Sequence, residues 1–266
     1  MVLNLALGLV VGVILALTGA GGGILAVPLL IFGAGLSVAQ AAPIGLMAVG
    51  MAAALGAVLG LKAGIVRYKA ALLTAAAGMP CAPLGLWLAH HTDNRWLTVL
   101  FAATLLYVAM RMIRQSLQPA LQTEPLPQRC PPCMVSAETG RIIWTSPCAM
   151  ALALSGAVAG LLSGLLGVGG GFVMVPSLQR CTDLPMKSIV ATSLGVIALV
   201  SATGVVSSAA SGHLNMAVGL PFSGGALLGM LAGRSVSNYL SGPRLQQSFG
   251  VVSGMVAVGM LLKIFL

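Results

Sequence analysis

Apolar runs, most of them of membrane-crossing length, recur along this chain from Val2 to Leu266, separated by glycine turns, short charged loops and one polar linker. Lys, Arg, Asp and Glu together make up 6% of the 266 residues, against about 25% in a soluble domain. Four acids and thirteen bases cannot cover a water-facing surface of this size, so the solvent around the chain is lipid. The 35 glycines suit helices that approach one another through small residues. The expected fold class is an all-α polytopic membrane protein.

Five apolar pieces, a polar linker and five further pieces follow one another: 2–17, 24–35, 38–61, 70–89 and 96–113, then 147–166, 172–178, 188–210, 217–240 and 246–266. An offset of 148 positions carries Gly19, Gly21, Gly22, Gly23, Val27, Pro28 and Leu30 onto Gly167, Gly169, Gly170, Gly171, Val175, Pro176 and Leu178. Without a gap, the same offset aligns Leu46 with Leu194, Gly56 with Gly204, Gly64 with Gly212, Gly85 with Gly233 and Phe101 with Phe249. The chain therefore divides into a first membrane repeat (1–113), a linker (114–146) and a second membrane repeat (147–266).

Charge gives the copies opposite orientations. Lys62, Arg67 and Lys69 correspond to Ala210, Asn215 and Ala217, whereas Arg180 and Lys187 correspond to Phe32 and Ala39. Positive loops lie inside, so a loop inside in one half lies outside in the other, which is an inverted repeat. The second piece, at about 12 residues, covers only about 18 Å of a hydrocarbon core about 30 Å thick. It is expected to pair with the first as a glycine-broken hairpin, leaving three spanning helices per half. The N-terminus then lies in the periplasm and the linker in the cytoplasm of a bacterial inner membrane. The alternative joins pieces one and two into one crossing and makes a parallel repeat; it puts either the Lys62 cluster or the linker on the wrong side.

The two glycine turns carry the chemistry. A dinucleotide-binding glycine loop needs an acid some twenty residues on, and the chain stays apolar from Gly21 through Met51. Each turn instead breaks an apolar run at membrane depth and starts a new helix. Amides freed there have no water to bond, and a helix N-terminus binds anions. Gly21, Gly22 and Gly23 with Gly169, Gly170 and Gly171 are the expected substrate-binding residues for a small anion, entering from opposite faces. Pro28 and Pro176 support the site by keeping each short helix from bonding back across the break. Thr192 and Ser193, whose counterparts in the first half are Ile44 and Gly45, either donate to the anion or bond their own helix.

Other signals are weaker. Thirteen bases do not cluster with aromatics, so no nucleic acid is expected as a partner. The acids Asp93, Glu124, Glu138 and Asp183 all lie outside the apolar runs, and neither a catalytic constellation, a cofactor nor a metal site is expected. His90, His91 and Asp93 read as interface solvation, and Arg234 as a snorkelling base. The linker holds Cys130-Pro-Pro-Cys133 and, around Glu138-Thr139-Gly140, a small β-hairpin pattern. One C-x-x-C gives two ligands where structural zinc takes four, so Cys130 and Cys133 are candidates for a redox role only. Five cysteines in all do not make a disulfide framework. The expected partners are the bilayer and a small anionic substrate, with room for a homo-oligomer.

The doubled Gly-x-Gly-Gly-Gly with Val-Pro a few residues on, and Ala-Thr-Ser-Leu at Ala191 to Leu194, resemble the TauE/SafE family of sulfite and organosulfonate exporters, across both halves. The resemblance implies efflux of sulfite or a related sulfonate along a path lined by the matching glycines, Thr192 and Ser193. The first half departs from the Thr-Ser pattern, having Pro43-Ile44-Gly45. Import of thiosulfate or a sulfonate, a thiol-dependent sulfur-handling protein using Cys130 and Cys133, and a non-transporting scaffold are the rival readings.

Overall fold

The computed structural model describes residues 2–18, 22–117, 133, 145–182, 184–212, 215–240 and 243–265. These residues form eleven helices: α1 (Val2–Thr18), α2 (Gly23–Gly33), α3 (Val38–Lys62), α4 (Tyr68–Gly78), α5 (Cys81–His91), α6 (Asn94–Leu117), α7 (Ser146–Leu166), α8 (Gly171–Cys181), α9 (Met186–Ala210), α10 (Met216–Leu240) and α11 (Pro243–Phe265). Five segments are long and apolar enough to cross a bilayer: Val38–Lys62, Tyr68–His91, Ser146–Leu166, Met186–Ala210 and Met216–Arg234. Outward-facing apolar side chains cover the surface, among them Leu154, Val206, Leu220 and Met255, which suits lipid rather than water. The chain is a multi-pass membrane protein.

Local chemistry sets most boundaries. Ser37 caps α3 in a reciprocal box, its Oγ accepting from the Gln40 N–H at 3.3 Å while Gln40 Oε1 accepts from the Ser37 N–H. Thr145 caps α7 by accepting the Cys148 N–H at 3.3 Å, with Pro147 in the first turn. The piece at 70–89, expected as one helix, is two. Met79 and Pro80 interrupt it, because Pro80 has no N–H and its ring crowds the carbonyl four residues back. At the other end, α6 runs past 113 to Leu117. The hairpin pattern at 134–144 lies outside the described residues.

The first helix of each half packs on the other half. Along α1 and α10, a Cβ on Gly8 would strike the Phe222 carbonyl and one on Gly12 the Ala226 carbonyl. Along α7 and the α4–α5 pair, a Cβ on Gly156 would strike the Thr74 carbonyl and one on Gly160 the Gly78 carbonyl. Each contact maps onto the other by the same 148-residue offset. Glycines spaced four apart put these backbones in contact, as lipid-embedded helices require in the absence of a hydrophobic drive between them.

Helices α3 and α9 cross at the centre. Leu46 Cδ1 lies 3.0 Å from the Cβ position of Gly204, and Leu194 Cδ1 lies 2.9 Å from that of Gly56. Gly50 faces Ser201, and Gly60 faces Ala191. Numbers rise along α3 as they fall along α9, so the two helices are antiparallel although they occupy equivalent places in the repeat. The Arg67 N–H, at the start of α4, donates to Thr192 Oγ1 at 3.1 Å near the start of α9.

Candidate glycine-break site

Each glycine turn reverses the chain. Gly22 packs against the backbone of Leu15, and Gly33, at the far end of α2, against Leu7 Cδ1, so α2 runs back along α1. In the second half Gly170 packs against the Ala159 carbonyl, about two-thirds of the way along the 21 residues of α7. At 1.5 Å per residue α7 is about 31 Å long. Helix α8 therefore starts about two-thirds of the way along α7 and returns toward the end from which α7 set out. At that end the Cys133 N–H donates to the Cys181 carbonyl at 3.0 Å, and Cys133 forms a parallel bridge to Thr182.

The two breaks meet. The Val168 carbonyl oxygen lies 2.5 Å from where a Cβ on Gly23 would stand. Val49 of α3 sits between them, its Cγ1 3.2 Å from the Cβ position of Gly23 and 3.0 Å from that of Gly169. Ile197 of α9, the repeat counterpart of Val49, lies 2.9 Å from the Gly169 position. Gly22, Gly23 and all of 167–171 are buried. Gly167, Gly169 and Gly170 hold φ values of +70°, +77° and +67°, a region that costs any residue with a Cβ about 1–2 kcal/mol.

By helix geometry the N–H groups of the first two residues of α2 and of α8 have no acceptor within their own helices, whereas those of Leu25, Val173 and Met174 donate to the carbonyls of Gly22 and Gly170. Pro28 and Pro176 lie inside those helices and leave the carbonyls of Ile24 and Phe172 without their usual donor. Each short helix thus exposes donors at its start and an acceptor one residue in. Gly21 lies outside the described residues.

The two motif hydroxyls of α9 have partners within the protein. Thr192 accepts the Arg67 N–H, and Ser193 donates to the Val190 carbonyl at 2.8 Å. Both are fully buried; Thr192 ties the start of α4 to α9, and Ser193 bonds back within α9. Sequence reasoning missed Ser163 and Ser201, which are fully buried and whose Oγ atoms find no partner among the described residues. An unpaired buried hydroxyl costs about 1–3 kcal/mol. The signal available was the repeat offset, which sets Ser163 against Leu15 and Ser201 against Ala53.

A cavity of about 480 Å³ runs between one face of α6 (Thr104, Tyr107, Arg111) and one face of α8 (Phe172, Pro176, Arg180). It leads from two guanidinium groups to the second residue of α8, beside the break. The only acid among the described residues is Asp93, just before α6. Arg111 lies some 25 Å further along that helix, so no described acid neutralises it.

Cys133 is joined to Cys148 by a disulfide, a pairing the sequence reading did not anticipate. Cys130 lies outside the described residues. Among the described residues no group of three or more His, Cys, Asp or Glu could hold a metal. His91 Nδ1 lies 2.9 Å from the Trp87 carbonyl, with the two rings 4.2 Å apart, a local contact at the end of α5.

The family described as "Sulfite exporter TauE/SafE" matches residues 4–260. A "Probable membrane transporter protein" of Xylella fastidiosa (strain Temecula1) is 28% identical over 263 residues, covering 97% of this chain and 94% of that protein. "Probable membrane transporter protein YunE" of Bacillus subtilis (strain 168) is 42% identical over 80 residues, covering only 30% of this chain and 29% of its own length. No solved structure matches. With buried, converging helix breaks inside a multi-pass helical bundle and a family match across nearly its whole length, the chain belongs to the sulfite exporter TauE/SafE family of membrane transporters and is not an enzyme.

Proposed function

We propose that this transporter exports a small sulfur oxoanion, sulfite or an organosulfonate, bound where its two glycine breaks meet. The observation that carries the reading is the contact of Gly23 with the Val168 carbonyl. It brings two helix N-termini, each from a different half, to one buried point. Gly21, Gly22 and Gly23 with Gly169, Gly170 and Gly171 supply backbone N–H donors and the positive ends of two helix dipoles. An anion held this way needs no buried Lys or Arg. Thr192 stands behind the site as a tie between α4 and α9, Ser193 bonds back to its own helix, and Pro28 and Pro176 keep the breaks open.

The antiparallel crossing of α3 and α9 supports an inverted repeat. So does the junction of Cys133 with Cys181 and Thr182, which sets the linker and the α8–α9 connection on one face, as a hairpin with no net crossing requires. The N-terminus is then periplasmic. The linker lies in the cytoplasm with Lys62, Arg67, Lys69, Arg180, Lys187 and Arg244. Arg111 and Arg180, on that face, draw anions into the α6–α8 cavity and toward Phe172, the cytoplasmic entry of an exporter. A disulfide at Cys133–Cys148 belongs to an oxidising compartment. The distribution of bases favours the cytoplasm for the linker, and the Cys133–Cys148 pairing stands against it.

Counterflow of labelled sulfite, thiosulfate, taurine and sulfate into proteoliposomes tests the substrate class. Saturable sulfite or sulfonate exchange supports it, whereas exclusive movement of sulfate contradicts it. A thiol-dependent role is separated by replacing Cys130 and Cys133 with Ser, which leaves a carrier working.

A further inference from the structure

Two hydroxyls of α9 bond back to their own helix, while Ser201 and, further along, Ser208 find no partner among the described residues. Ser193 donates to Val190 and Thr203 to Val200, each at 2.8 Å. Ser201, between them, does not: its Oγ has no partner among the described residues, and its side chain is fully buried. Instead that Oγ lies 3.5 Å from where a Cβ on Gly169 would stand, against backbone held at φ +77°. Gly50 of α3 makes room for it, since a Cβ there would come within 2.7 Å of Ser201 Cβ. Val49 and Ile197 wall the same point with methyl groups. A donor in such a place, with no water to bond, has a strong drive to find an acceptor.

We infer that Ser201 is a substrate-binding residue, its hydroxyl donating to an oxygen of the oxoanion held at the Gly169–Gly171 break. The inference rests on the reading of that break as an anion site. It makes the site one-sided, because the repeat counterpart of Ser201 is Ala53. The backbone donors come from both halves, and the side-chain donor comes from the second alone. An anion entering along α8 from Arg180 would meet this hydroxyl as it reaches the amides at the start of α8.

A purely structural serine predicts something different. Removing an unpaired buried hydroxyl would then steady the fold and leave substrate affinity alone. Ser253, on α11, is equally buried and equally unpartnered, and serves as the control for that behaviour.

The experiment is counterflow of sulfite, thiosulfate and isethionate in proteoliposomes containing wild type, Ser201→Ala or Ser253→Ala, with thermal midpoints in detergent measured alongside. The expected result is a KM raised roughly ten- to hundredfold in Ser201→Ala, the loss of one hydrogen bond to a charged group. Its midpoint stays the same or rises, and Ser253→Ala keeps the wild-type KM. Ser201→Cys, close in size and a poorer donor, gives a smaller rise and stands in if the Ala variant fails to insert. A KM within twofold of wild type for both Ser201 variants overturns the inference while leaving the anion site standing. Failure of the wild type to carry any of the three anions overturns both.

Discussion

The Val168 carbonyl occupies the space that a side chain on Gly23 would need, 2.5 Å from the Cβ position. One break thus abuts the other through bare backbone. Gly23→Ala pushes the two apart and is expected to cut sulfite counterflow at least about tenfold, a change worth about 1.4 kcal/mol, with normal membrane insertion. Retained flux in a well-inserted Gly23→Ala protein argues that the breaks do not act together.

Gly170 presents a different constraint. Its φ of +67° and its packing on the Ala159 carbonyl both exclude a side chain. Gly170→Ala is expected to lose at least about 1–2 kcal/mol from backbone strain, seen as a lower thermal midpoint in detergent, along with transport. An unchanged midpoint would mean that this turn relaxes freely.

Thr192 separates a helix tie from a substrate ligand. Its hydroxyl oxygen takes the Arg67 N–H at the start of α4, and losing such an acceptor costs about 1 kcal/mol. Thr192→Val should lower the midpoint and leave the KM for sulfite where it was. A raised KM at constant stability would put Thr192 in contact with substrate instead.

Orientation is open to direct measurement. Ala63 and Ser211 end α3 and α9, are exposed, and are 148 positions apart. In a cysteine-free background Ala63→Cys is expected to label with membrane-impermeant maleimide only after permeabilisation, and Ser211→Cys in intact cells. Labelling of both from one side contradicts inverted halves.

Much of this architecture was legible because the physics behind it is strong. Missing charge made the chain a membrane protein, and the repeated glycine turns marked where helices break. The 148-residue offset reappears as paired contacts, Gly8 with Phe222 and Gly156 with Thr74. The exchange of first helices between halves was not legible, since glycine spacing tells a helix to pack closely without naming its neighbour. Pro80 splits a run that hydropathy alone reads as continuous. Among hydroxyls, Thr192 and Ser193 drew attention by motif, whereas Ser201 stands out only once its helix partners are known. The pairing of Cys133 with Cys148 depends on where Cys133 lies relative to the start of α7, which spacing does not specify.

The central claim is that two helix N-termini, brought together by glycine breaks from both halves, hold a sulfur oxoanion. Its most direct test is equilibrium binding of labelled sulfite to the purified protein, compared with Gly23→Ala and Gly170→Ala. The account predicts saturable binding at about one site per chain, competed by organosulfonates and lost in both variants. Wild-type binding that survives in both variants, or that requires Cys130 and Cys133 instead, would contradict it.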